Sequence, residues 1–161
     1  MIYVSLKRMA ELPLDQSDTV VVGEVTRVQP FLTHDGLSLY TECTLQVFET
    51  VKSASPVTKE SIALLRIGGA ARLSDGRIVG PTVEGDGGFP IVGRQYLFFL
   101  KYRPEAQAYL QYKMWIVQYG RIRAVSPDDI ARVKRRTSVY DGWDLGSVLA
   151  SLKVGVSADT P

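Results

Sequence analysis

Thr19-Val20-Val21-Val22-Gly23-Glu24-Val25-Thr26-Arg27-Val28 reads as a β-strand, because clustered β-branched residues suit a pleated, half-buried backbone. Gly23 stands in its middle, where glycine weakens a regular strand, so a bulge or sharp bend of the kind found at a barrel corner is expected there. Downstream, Ser38 to Lys52 alternates. Leu39, Cys43, Leu45 and Val47 fall on one face and Tyr40, Glu42, Thr44 and Gln46 on the other. His34-Asp35-Gly36 between the two is expected to turn the chain. Further on, Tyr96-Leu97-Phe98-Phe99-Leu100 is apolar at every position, so the strand Arg94 to Tyr102 is expected to be buried on both faces.

The remaining segments fit around these strands. Ser61 to Ile67 is a third strand, ended by Gly68-Gly69, and Arg72 to Val79 a hairpin turning at Ser74-Asp75-Gly76. Gly80 to Gly93, rich in glycine and proline, reads as a long irregular loop. Tyr109 to Tyr119 and Arg121 to Val125 are the last strands. Ser126-Pro127-Asp128-Asp129 is a helix start, with a serine cap, proline at the first position and acids on the first turn; that helix is expected to end near Arg135. A second helix from about Asp144 to Lys153 would bury Leu145, Val148, Leu149 and Leu152, with the tail after Val154 frayed. At the other end, Val4 to Leu14 suggests a short helix stopped by Pro13. The expected fold is mainly β, a small closed or partly open barrel of about five to seven antiparallel strands with these helices at its ends. With 161 residues and no linker or repeat, residues 1–161 are expected to form a single domain, its barrel about 16–125 and its C-terminal helices about 126–153.

The totals exclude several classes. Hydrophobic residues at 45% and charged residues at 22% are globular values, which argues against disorder. A net charge of +2 is too balanced for an obligate polyanion binder, since phosphate binding needs clustered cations. Cys43 is the only cysteine, so no internal disulfide or cysteine metal site can form. The longest apolar run, Tyr96 to Leu100, is far shorter than a transmembrane helix. Met1 to Ala10 places Lys7 and Arg8 after Ile2-Tyr3-Val4, the reverse of a signal peptide, so any leader is expected to precede residue 1.

Three segments together, Asp18-Thr19-Val20-Val21-Val22-Gly23-Glu24-Val25, the alternating Leu39-to-Val51 strand and Phe89-Pro90-Ile91-Val92-Gly93-Arg94-Gln95-Tyr96-Leu97-Phe98-Phe99-Leu100, resemble a group of uncharacterised bacterial domains. That group is similar to the OB-like barrel of netrin-type and tissue-inhibitor-of-metalloproteinase domains. The resemblance spans roughly residues 16–125 and implies an OB-like barrel in a protein that is often exported, hence an extracytoplasmic rather than cytoplasmic location. It implies no activity. Inhibitor function does not carry over, because the disulfides and N-terminal cysteine of those domains are missing here.

Few residues suggest chemistry. His34 is the only histidine and sits in a turn, where polar residues are common for conformational reasons. Glu84 and Asp86, among Gly85, Gly87 and Gly88, offer oxygen ligands but miss the spacing of a calcium loop. Gly68-Gly69 and Gly85 to Gly88 lack the lysine and serine or threonine of a phosphate loop. Arg132, Lys134, Arg135 and Arg136 match a helix C-terminus, where the dipole favours cations. The strongest candidate is one face of the Tyr109–Tyr119 strand, where Tyr109, Gln111, Lys113, Trp115, Val117 and Tyr119 alternate and Arg121 and Arg123 continue the parity. Leu110, Tyr112, Met114 and Ile116 would then form the core side.

Such an aromatic and basic stripe suits stacking and phosphate contacts. It equally suits a packing anchor for the C-terminal helices, with Trp115 beneath them. The sequence therefore points to a non-enzymatic binding or interaction module without a cofactor or metal. Its candidate ligand residues are Tyr109, Lys113, Trp115, Tyr119, Arg121 and Arg123, and its partner is expected to be another protein. Single-stranded nucleic-acid binding is the alternative, and a hydrolase resting on His34 the second.

Overall fold

A computed structural model describes residues 10–32, 39–53, 60–67, 69–72, 75–82 and 90–158. The strands are β1 (Thr19–Leu32), β2 (Leu39–Ser53), β3 (Ser61–Ile67), β4 (Gly69–Arg72), β5 (Ile78–Thr82), β6 (Gln95–Arg103), β7 (Ala108–Gln118) and β8 (Arg121–Ala124), followed by helices α1 (Pro127–Lys134) and α2 (Leu145–Ala158). Six strands form one sheet in the order β3-β2-β1-β6-β7-β8, with β4 and β5 a separate hairpin. Neighbours along that order are antiparallel, but β3 also pairs parallel with β7 through Leu64↔Tyr109 and Leu65↔Leu110. The sheet is thereby hydrogen-bonded into a ring of five strands, with β8 outside it.

Both faces of the sheet are buried over much of its area, and β6 shows why. Tyr96, Phe98 and Leu100 point into the ring beside Val21, Val25, Cys43, Leu45, Leu64, Tyr109 and Met114. Leu97 and Phe99 point outward to Val20, Val22, Trp115 and Ile122, where α2 covers them with Val148, Leu149 and Leu152. All five residues Tyr96–Leu100 are at most 2% exposed, as a strand covered on both sides requires.

Gly23 bends β1. The register against β2 slips between Val20 and Val21 and again between Val22 and Gly23, while the same residues keep an unbroken register with β6. A Cβ at position 23 would lie 2.7 Å from the Gln46 carbonyl oxygen, so only glycine lets the two backbones approach this closely. Gly23→Ala is expected to cost about 1–3 kcal/mol, the range for overpacking a tight interior. Urea unfolding would show it as a lower midpoint at unchanged slope. A midpoint equal to wild type would mean that the backbones can separate freely.

Beyond the bend, β1 continues to Leu32, four residues past the expected end at Val28. It pairs there only with β2, since its pairing with β6 stops at Glu24, so the missing N–H of Pro30 leaves no gap in a central ladder. The other boundaries lie near those the sequence predicts. One difference is that Gly80-Pro81-Thr82, expected as loop, completes β5. The turns expected at His34-Asp35-Gly36 and through Glu84–Gly88 lie outside the described residues.

The termini depart further. The described part of the expected N-terminal helix, Ala10 to Leu14, has bends and a turn rather than helix. It lies against the outer face, where Leu12 and Leu14 pack on the outer cluster and Lys52 Nζ donates to the Leu14 carbonyl at 3.0 Å. Helix α2 starts as expected, with Asp144 Oδ2 accepting from the Ser147 N–H at 3.0 Å, but runs to Ala158 rather than Lys153. Its last turns meet the N-terminal segment: a Cβ on Gly155 would lie 2.8 Å from Leu14 Cδ2. Such tertiary packing overrides a local composition that predicts fraying.

Candidate functional site

The outer face of β7 is held under a cover built from three segments. Trp115 is fully buried, and its indole N–H donates to the Glu11 carbonyl at 2.9 Å. Glu11 in turn accepts from Ser138 Oγ at 2.7 Å and the Val139 N–H at 3.0 Å, tying the N-terminal segment to the loop after α1. Lys113 is also fully buried; its ammonium reaches the Ala10 carbonyl at 2.7 Å and the Asp129 carboxylate at 3.0 Å.

Asp129, on the first turn of α1, is the centre of a small ionic cluster. It also accepts from Arg132 Nη1 at 2.8 Å and from Ser126 Oγ at 2.8 Å, while the Ser126 oxygen caps the helix by accepting the Asp129 N–H. Burial pushes the Lys113 ammonium below the usual lysine range, and the facing Asp129 carboxylate opposes that only in part.

The six residues singled out from the sequence do not form one open stripe. A bulge in the β6–β7 ladder takes the register from Phe99↔Lys113 to Leu100↔Gln111 and leaves Tyr112 as the extra residue. The side-chain alternation therefore changes phase inside β7. Tyr109 joins Met114 in the inner cluster, where it meets the Tyr102 ring at 5.0 Å, while Tyr112 and Trp115 share the outer one. Strict alternation over Tyr109–Tyr119, with Tyr112 and Met114 on one core side, is thus corrected.

Lys113 and Trp115 are sealed beneath the N-terminal segment and the helices. Only Tyr119, Arg121 and Arg123 face solvent, and both arginines are engaged with the loop joining α1 to α2. Arg121 donates to the Gly142 carbonyl at 2.8 Å, and Arg123 pairs with Asp141 at 3.4 Å. In the basic run, Arg132 turns inward to Asp129, while Lys134, Arg135 and Arg136 are exposed.

A different face stays open. Past the bend of β1, the register pairs Arg27 with Thr44, Gln29 with Glu42 and Phe31 with Tyr40 on the outer side of the ring. The Phe31 and Tyr40 rings stack at 5.7 Å with an interplanar angle of 21°, and Phe31 remains 40% exposed. Arg27 donates to the Gln29 side chain beside them. Alternation had placed Tyr40, Glu42, Thr44 and Gln46 on a polar face. The sequence does not disclose the pair, because its strand signal ends at Val28, short of Phe31.

Cys43 belongs to the inner core and is fully buried. Burial pushes its thiol up to about 11, with Arg66 lowering it and Glu42 raising it less. The native chain is therefore expected to resist a thiol reagent at about pH 8 and to react once unfolded in guanidinium. Rapid labelling without denaturant would show that the ring opens in the native state.

His34, Glu84 and Asp86 lie outside the described residues. Among the described residues no group of acids, histidine or cysteine is arranged to hold a metal, and no helix is long and apolar enough to cross a membrane. No protein-family model matches the chain, and no curated protein matches it in sequence.

Proposed function

We propose that this chain is a non-enzymatic binding module built on an OB-like barrel, with the outer face of β1 and β2 as its recognition surface. The cyclic order β3-β2-β1-β6-β7, closed by the parallel β3–β7 pair, supports the barrel: it is the connectivity of a five-stranded Greek-key barrel with one short extra strand. Barrels of this type bind oligonucleotides and oligosaccharides on the face of their second and third strands, and β2 is the strand that this face shares with the one proposed. The observation that carries the function is the exposed Phe31–Tyr40 stack, a flat aromatic platform on a rigid sheet with Gln29, Glu42 and Thr44 around it. Aromatic faces next to hydrogen-bonding groups suit ring-shaped ligands such as sugars or bases. With Glu42 offsetting Arg27, the face favours a ligand of low charge over a phosphate backbone.

The test screens the full chain against an oligosaccharide array and a fluorescent oligodeoxythymidine, in wild type and in Phe31→Ala. A ligand that is bound without turnover, and about tenfold more weakly by the variant, is the expected result. Equal binding by Phe31→Ala overturns the surface, and conversion of the ligand overturns the non-enzymatic reading. Retention of the oligonucleotide that falls steeply with salt would assign the module to single-stranded nucleic acid instead.

A further inference from the structure

Two tight turns stand side by side where β6 begins and β7 ends, and the depression between them is more built than a chance surface feature. The first turn is Ile91–Arg94, closed by the Arg94 N–H on the Ile91 carbonyl at 3.2 Å with Gly93 at φ +85°. It is pinned by three further hydrogen bonds: Gly93 N–H to the Val25 carbonyl at 2.8 Å, Val25 N–H to the Arg94 carbonyl at 3.0 Å, and Ile91 N–H to the Tyr96 hydroxyl at 3.1 Å. A turn held this firmly nevertheless leaves Ile91 49% and Val92 54% exposed.

The second turn joins β7 to β8 through Tyr119 and Gly120, at φ +53° and +71°. Two successive positive φ values define the mirror-image hairpin turn that asparagine–glycine fills at least strain. A tyrosine at its first position is strained, and no hydrogen bond or ring contact compensates it among the described residues, for the side chain is 95% exposed. A strained, solvated aromatic on a rigid tip is a feature that an external contact explains. Between the turns lies an open depression of about 430 Å³, and Arg94 is the charged side chain among the described residues lining it. Gln95 and Gln118 add neutral donors and acceptors.

We propose that this depression is a docking site for a peptide segment of a partner protein that carries an acidic residue beside a large apolar one. The apolar side chain packs on Tyr119 beside Ile116 and Val117, and the carboxylate meets the Arg94 guanidinium. Tyrosine and arginine at a rigid, preformed site are the residues that dominate protein interfaces. A single cation is too few for a nucleic-acid backbone, which is gripped by several phosphate contacts. The site is separate from the Phe31–Tyr40 face and stands whether or not that face binds a ligand.

The test pans a random phage-displayed peptide library on the full chain and measures the affinity of the synthetic consensus peptide. The expected consensus pairs an acid with an aromatic or branched apolar residue. Its affinity should fall about tenfold or more in Tyr119→Asn and in Arg94→Gln, and stay unchanged in Phe31→Ala. Tyr119→Asn suits the turn better than tyrosine, so its melting temperature should be no lower than wild type, which separates lost contact from lost fold. No enriched peptide, a consensus without an acid, or equal binding by Tyr119→Asn overturns the proposal. Binding lost only in Phe31→Ala overturns it as well and assigns the peptide to the other face.

Discussion

Asp129→Ala is expected to remove about 3–5 kcal/mol of folding stability, the penalty for leaving a buried ion without its partner. The carboxylate has no exposed surface, and neither has Lys113, whose ammonium would keep only the Ala10 carbonyl of the contacts described above. Arg132 and Ser126 would lose their acceptor in the same step. Against a total stability of about 5–15 kcal/mol for a domain, such a loss brings the chain near unfolding at ambient temperature. Guanidinium denaturation measures it directly.

The double variant Lys113→Met with Asp129→Ala should recover much of the loss, since replacing both ions by apolar groups removes the uncompensated charge. If Asp129→Ala costs less than about 1 kcal/mol, the cluster is no more than a surface ion pair in its energetics.

Lys113 also gives this cluster a pH signature. Its proton affinity in the folded chain lies below the ordinary value of 10.5 that it regains on unfolding. Between the folded value and 10.5 the unfolded chain binds the extra proton, so stability rises with pH across that window. Its contribution is present above the unfolded value and is lost as pH falls through the folded one. Relative to Lys113→Met, the wild type should therefore gain stability as pH climbs toward 10.5, and a difference independent of pH would show that the ammonium is not desolvated.

Trp115→Ala is expected to cost a further class of large loss, about 3–5 kcal/mol, because it empties the centre of the outer cluster. The indole touches material from both ends of the chain: it packs with Val20, Val22, Leu97, Phe99 and Ile122 under Val148, Leu149 and Leu152, and its N–H holds Glu11. Trp115→Phe keeps most of the volume and gives up the hydrogen bond, so it should cost about 1–2 kcal/mol. The readout is thermal unfolding together with proteolysis at the N-terminal segment. Loss of that segment's protection in Trp115→Ala, at a temperature where the sheet is still folded, would show that the tryptophan serves the cover first. Unchanged protection and stability would mean that the cover stands without its anchor.

Much of the fold was legible because local signals agree. Val20–Val28 and Leu39–Val47 carry strand composition and alternation, Tyr96–Leu100 is apolar at every position, and Ser126-Pro127 with two acids marks a helix start from its own residues. The bulge at Gly23 was legible too, since glycine amid valines has a backbone cause.

The candidate site was less legible, and the bulge at Tyr112 is the reason. One extra residue in β7 changes which side chains share a face, and no residue type in Gln111-Tyr112-Lys113 announces it. A lysine between Tyr112 and Met114 looks like the solvent side of a strand until Asp129, sixteen residues on, is seen to reach it.

By itself, then, the sequence determined most of the strands and the two C-terminal helices, where β1 bends, and that β6 is covered on both sides, because each follows from the chemistry of neighbouring residues. Only the tertiary structure decided that β3 and β7 close the ring, that Lys113 and Trp115 lie beneath the N-terminal segment and the helices, and that Phe31 and Tyr119 are among the aromatics left to solvent. Those depend on register and on contacts between residues about a hundred positions apart, such as Trp115 with Glu11, which no local pattern encodes.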